Sequence, residues 1–166
     1  MPTPTSPLRD TFLDAMSQLV SSVCIVTTDG VAGRAGATVS AMTSVSADGD
    51  APTMLVCMHH ASSAAPIILK NRCFCINVLG SDQADIANVF ASRTPAPGDN
   101  KFSAGAFAPM HTGSPGLGTA LVRFDCTLLS DEQIGTHHVL IGSVCDVARR
   151  DGSPLLYGDR DYQKLA

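Results

Sequence analysis

The sequence predicts a mainly β fold of α+β type, a closed antiparallel barrel with flanking helices. Three observations carry that expectation. Six or so strand-like runs are bounded by turn compositions. Three of them follow one another with only short turns between, which implies antiparallel pairing. The two or three helical segments do not alternate regularly with strands, as a doubly wound parallel sheet would require. A length of 166 residues is one domain's worth. The expected organisation is a disordered tail over residues 1–7 and a single domain over residues 8–166.

Each element has a local reason. In "SPLRDTFLDAMSQLV", Ser6 is a candidate N-cap and Pro7 suits the first helical position, with Leu8, Phe12, Met16 and Leu19 on one face. Strands follow in "SVCIVTT", "GATVSAMTSVS" and "TMLVCMH", separated by the turn-rich "DGVAGRAG" and "ADGDAP". A helix is predicted over "SSAAPIILKN" and a strand over "CFCINVLG"; Ser81 is then expected to cap "DQADIANVFAS". Residues 92–119 are Gly/Pro-rich and show no periodic element, and a loop of that length inside a compact domain points to function or disorder. In "LVRFDCTLL", Val122, Phe124, Cys126 and Leu128 alternate with Arg123, Asp125 and Thr127, the pattern of a half-buried strand; "HHVLIGSVCDVARR" is another strand.

Composition narrows the partners. Apolar residues are 45% and charged residues 16% of the chain, a low charge density that suggests a surface covered by a second copy in a homodimer. Net charge is −4 and the eleven Lys and Arg are scattered, so no basic stripe is available to release counterions from nucleic acid. No apolar run reaches the roughly 18 residues of a membrane span. The six cysteines sit in apolar runs without a CxxC pair, which reads as reduced core thiols in a cytoplasmic protein. There is no P-loop, no GxSxG and no HExxH, and "GSPGLG" is neither strand-flanked nor in GxGxxG order. His59, His60, His137, His138 and the cysteines follow no ligand spacing, and adjacent histidines in a strand point to opposite faces, so no metal is expected.

The stretch "GRAGATVSAMTSVS" raises its own question. Read as one strand, it places Thr38, Ser40, Met42, Ser44 and Ser46 on one face, with Val39, Ala41, Thr43 and Val45 on a core face. A solvent-facing strand explains such hydroxyls. Yet no Lys or Glu occurs between Arg34 and Asp48, and short side chains beside free amides also suit a flat, polar-edged ring.

Taken in order, "FLDAMSQLVSSVCIVTTDGVAGRAGATVSAMTSVS", "LVCMHHASSAAPII", "CINVLGSDQADIANVFA", "NKF", "FDCTLL", "IGTHHVLIGSV" and "PLLYGDRDY" resemble the flavin reductase-like family. The likeness runs from about Phe12 to Tyr162. It is greatest to the small reductase components of two-component flavin-dependent monooxygenases of the 4-hydroxyphenylacetate and chlorophenol type. The resemblance implies a split β-barrel of Greek-key topology, built as a homodimer, that takes hydride from NADH or NADPH to FAD or FMN. It further implies release of reduced flavin to a monooxygenase acting on an aromatic, phenolic substrate.

By the same resemblance, Thr38, Val39, Ser40, Ala41 and Ser44 hold the flavin ring and ribityl. Cys57, Met58, His59 and Ser62 match the next strand end and turn, with Ser62 on the phosphate and His59 standing where the family usually has Asn. Lys101 and Phe102 match a pair that closes over the flavin from the long loop. Alone, a Lys-Phe pair in a loop carries little; its register carries the assignment. His137 matches a histidine that meets the nicotinamide and is the candidate catalytic residue, whereas His138 has no counterpart. Tyr157, and less closely Tyr162, match aromatics near the nicotinamide. Two alternatives stand beside this reading: an FMN reductase serving a pyrimidine-degrading oxygenase, whose stretches resemble "VTTDGVAGRAG", and a non-catalytic flavin-binding electron carrier of the same fold.

Overall fold

The computed structural model describes residues 5–166. Helix α1 (Pro7–Ser17) begins as its sequence dictates: the Ser6 hydroxyl accepts the Arg9 N–H at 3.1 Å and Pro7 occupies the first turn. Ser6 and Pro7 therefore belong to the helix rather than to the tail expected over residues 1–7, of which residues 1–4 lie outside the described residues.

The strands are β1 (Ser21–Ser22), β2 (Cys24–Thr28), β3 (Ala35–Val39), β4 (Met42–Ser46), β5 (Thr53–His59), β6 (Cys73–Val78), β7 (Phe107–Pro109), β8 (Pro115–Leu117), β9 (Val122–Ile134), β10 (His137–Arg149), β11 (Leu156–Gly158) and β12 (Asp161–Gln163). Two further helices, α2 (Ala64–Asn71) and α3 (Ala84–Phe90), flank β6 in sequence. Seven strands form one antiparallel sheet in the order β3-β2-β6-β9-β10-β5-β4. Its two outermost strands, β3 and β4, are consecutive in the chain. The sheet therefore has to curl, and the Cys57 N–H donates to the Ala41 carbonyl at 3.0 Å, which carries the β4–β5 ladder one residue into the turn between β3 and β4. The chain passes from one sheet edge to the other at the Ser40–Ala41 corner.

That corner corrects the reading of residues 36–46 as one strand. A single straight strand cannot serve both edges, so pairing breaks at Ser40–Ala41 and the alternation resets. Val39 and Met42 both pack on the barrel core, with the two exposed small residues between them. Beyond the corner the expected faces fail: Thr43 is exposed, and Val45, assigned to the core, is 55% exposed.

The core has two layers because β2 and β6 are buried on both faces. Cys24, Val26, Phe74, Ile76 and Leu140 fill the barrel; Val23, Ile25, Leu79, Phe90 and Leu117 pack outside it beneath α3 and the long loop. The loop is more structured than expected. It holds 3-10 turns at Pro97–Asp99 and Lys101–Ala104 and the β7–β8 hairpin, pieces too short to show a period in sequence. Asp125, expected on the solvent side of β9, is fully buried because the loop covers it: its carboxylate accepts the Thr112 N–H at 2.8 Å and the Thr112 hydroxyl at 2.7 Å. Nor does Ser81 cap α3. Gln83 stands at that position, its side chain bonded instead to Gly80 and Thr119. Of the cysteines, all free, Cys145 is exposed rather than in the core.

Candidate functional site

The barrel corner forms one end of the site. Thr38, Val39 and Ser40 line a pocket of about 130 Å³ together with Arg93, Tyr157 and Tyr162. The three residues do different things. The Thr38 hydroxyl donates to the Ala87 carbonyl at 2.7 Å and so fixes α3 on the strand. Val39 turns its side chain into the barrel, leaving Ser40, with Ala41 and Ser44, as the exposed small and hydroxylated surface at the corner. Tyr157 and Tyr162 meet edge to face at 5.8 Å, and the Arg93 guanidinium lies 5.8 and 6.0 Å from their rings. The Tyr162 hydroxyl donates to Asn88 Oδ1 at 2.9 Å, and burial pushes its pKa up.

Strand pairing brings together residues far apart in sequence at the end of β5. His59 lies directly opposite His137 on β10, their rings edge to face at 5.1 Å, and His60 stacks on His59 at 4.9 Å. His60 is past the end of β5, so these neighbouring histidines share a side, contrary to the opposite faces expected of a continuous strand. The Ala61 N–H donates to His59 Nδ1 at 3.0 Å, which fixes that ring. Met58 is buried in the barrel, so only its backbone is presented to the site, while Cys57 is half-buried. His138 pairs with Met58 on the other face, where its Nδ1 is buried without a partner.

At the other end of β3 lies a cleft of about 400 Å³ whose walls include Arg34, Gly36, Ser63, Asn100, Lys101 and Phe102. Lys101 Nζ donates to the Phe90 carbonyl at 3.3 Å, and Phe102 packs edge to face on Phe90 and Phe107 at 5.2 and 5.0 Å. The Lys-Phe pair is therefore fastened to the outer core. The Ser62 oxygen, expected on a phosphate, accepts the Ala64 N–H at 3.2 Å just before α2, which leaves its O–H free to donate, and the neighbouring Ser63 lines the cleft. Arg34, Ser63 and Arg93 were missed by sequence reasoning. Arg34 lies in a turn composition and Arg93 at the head of the Gly/Pro-rich loop, where nothing local marks a ligand.

The donor set fits a long, planar, phosphorylated ligand. Strand β3 leads from Gly36 in the cleft to Ser40 at the corner, roughly 13 Å at 3.3 Å per residue, with cationic donors at the first end and small hydroxylated residues at the second. The flavin reductase like domain matches residues 16–166, nearly the whole described chain.

The chain belongs to the flavin reductase-like family.

It is 44% identical over 156 residues to an FMN reductase (NADH) RutF 1 of Methylorubrum extorquens, covering 93% of this chain and 75% of that one. It is 41% identical over 160 residues to the FMN reductase (NADH) RutF of Stutzerimonas stutzeri, covering 96% and 90%. In three dimensions it superimposes on the flavin reductase PheA2 with a TM-score of 0.85 at 27% identity, covering 95% and 97%. The mainly β fold expected from the sequence is the fold of that reductase. No helix among the described residues is long and apolar enough to cross a membrane.

Proposed function

We propose that this chain is an NADH-dependent FMN reductase that binds flavin and pyridine nucleotide as dissociable partners and hands reduced flavin to a separate flavin-dependent oxygenase. The observation that carries it is the union, on β3, of a cationic cleft and a hydroxylated corner, in a chain whose relatives are named FMN reductase (NADH). When bound, the two coenzymes supply the hydride donor and acceptor between them. The chain then has to hold them within reach, orient them and exclude water. Thr38, Ser40, Ala41 and Ser44 are assigned to the ring and ribityl. Cys57, Met58 and His59 form the adjoining wall, the second through its backbone. Lys101 and Phe102 close the phosphate end. His137, fixed against His59, orients the nicotinamide, with Tyr157 beside it; no acid–base pair is needed.

Two copies complete the protein in this reading. Helix α1 has no buried residue; its Leu8, Phe12 and Met16 are 80, 58 and 47% exposed and Leu19, just past its end, is 57% exposed, an apolar face that a homodimer would cover. For the oxygenase, two readings stand side by side: the phenol-hydroxylating type, and the pyrimidine-degrading type whose reductases the stretch "VTTDGVAGRAG" resembles. NADH oxidation with added FMN, FAD or no flavin tests the reading. Turnover dependent on added flavin supports it. A yellow protein holding stoichiometric flavin, without turnover, replaces it with an electron carrier.

A further inference from the structure

The cleft at the start of β3 holds more chemistry than the sequence assigned to it. Arg34 reaches into it from the β2–β3 turn and Lys101 from the long loop. Asp29 engages Arg34 through Nε alone, at 3.1 Å, so the terminal amino groups remain for another acceptor. The guanidinium carbon sits 5.2 Å from the centroid of the Phe102 ring. One carboxylate and one aromatic face thus hold the side chain in place before any ligand arrives, which removes part of the ordering cost of binding. Phe102 is itself wedged against Phe90 and Phe107, and it adjoins Lys101 in the chain. The Phe102 ring thus holds Arg34, while Lys101 Nζ rests on the Phe90 carbonyl at 3.3 Å.

We propose that Arg34 is a specificity-determining residue that, with Lys101, seats the terminal phosphate of a flavin mononucleotide and makes this chain select FMN over riboflavin and over FAD. The inference rests on the flavin-reductase reading above and deepens it. A phosphate monoester carries about −1.5 to −2 charges near neutral pH on three oxygens. That compact charge matches two cations in one cleft, and the free amino groups of a guanidinium suit it in a bidentate way. Riboflavin has nothing to place there. In FAD each phosphate carries a single charge and the pair leads on to an adenosine, while the cleft wall adds the acid Asp99 rather than a further cation.

Flavin binding, followed by quenching of flavin fluorescence without NADH, tests this directly. The full-length protein is titrated with FMN, FAD and riboflavin, alongside Arg34→Ala and Arg34→Lys, with circular dichroism melts confirming that the variants fold. Wild-type protein is expected to bind FMN more tightly than either other flavin. Arg34→Ala should weaken FMN binding about tenfold or more, as expected for a lost charge-assisted contact to phosphate, and leave riboflavin binding within about twofold by the same reasoning. Arg34→Lys should recover part of the loss, because it restores charge without the fork. Equal losses for FMN and riboflavin, or no loss for FMN, overturn the role of Arg34. FAD binding as tight as FMN overturns the selection. Wild-type protein that binds none of the three overturns the flavin reading beneath it.

Discussion

The Leu117 N–H donates to the side-chain oxygen of Asn77 at 2.7 Å, inside a layer from which water is excluded. The Asn77 amide completes its bonding toward β2, donating to the Ile25 carbonyl and the Thr27 hydroxyl, both at 3.0 Å. One buried side chain therefore ties the long loop to the sheet.

Replacing Asn77 by Leu should cost about 2–4 kcal/mol, because it strands buried donors and acceptors of three elements at once. Chemical denaturation measures the loss. A loop that only rests on the barrel would give less than about 1 kcal/mol, the range of ordinary surface substitutions.

For His137→Ala, the Michaelis constant for NADH is expected to rise while FMN binding stays the same, since His137 is assigned to the nicotinamide and not to the flavin. Steady-state kinetics paired with FMN titration separate the two effects. Unchanged NADH kinetics would remove His137 from the site. His59→Ala should raise the NADH Michaelis constant less and should also weaken FMN binding, since the His59 ring is both the edge-to-face support of His137 and part of the wall assigned to the flavin.

Burial raises the Cys24 and Cys126 thiols from 9.0 to about 12. Both stay protonated in the folded chain at pH values where the unfolded chain ionises. Their contribution to stability is thus complete below pH 9 and is lost as pH rises from 9 toward 12, at roughly 1.4 kcal/mol per pH unit per thiol. Denaturation midpoints followed through that range should fall, and fall less steeply in Cys24→Ala. Equal slopes in the two proteins would show that the Cys24 thiol is not coupled to unfolding.

The exposed apolar face of α1 predicts a particle of twice the 17.2 kDa chain mass in sedimentation or light scattering. Phe12→Asp should shift the protein toward monomer. A wild-type monomer at micromolar concentration would contradict the dimer.

Much of this architecture was legible in the chain because its signals are local. The cap and proline of α1, the buried run of β2 and the long β9 and β10 each declare themselves within a few residues. The Ser40–Ala41 corner does not, since a strand that leaves one sheet edge for the other keeps its hydroxyls and loses only its pairing. Asp125 looked like a solvent residue because the loop that covers it comes from elsewhere in sequence. At the candidate site, the resemblance singled out Thr38 to Ala41, His59, His137 and the Lys101–Phe102 pair, but neither the break between β3 and β4 nor the pairing of His59 with His137. What it could not give is which hydroxyl is already committed. The Ser62 oxygen accepts the Ala64 N–H and the Thr38 hydroxyl holds α3, facts that depend on side-chain geometry. Arg34 gains its meaning only from Asp29 and Phe102, and its ring contact is a long-range one.

The most direct check on the central claim is a crystal structure of the protein with FMN and without pyridine nucleotide. The account predicts density for the ring system against Ser40, Ala41 and Ser44, with the phosphate between Arg34 and Lys101. A flavin bound elsewhere, or a corner blocked by neighbouring side chains at saturating FMN, would contradict it.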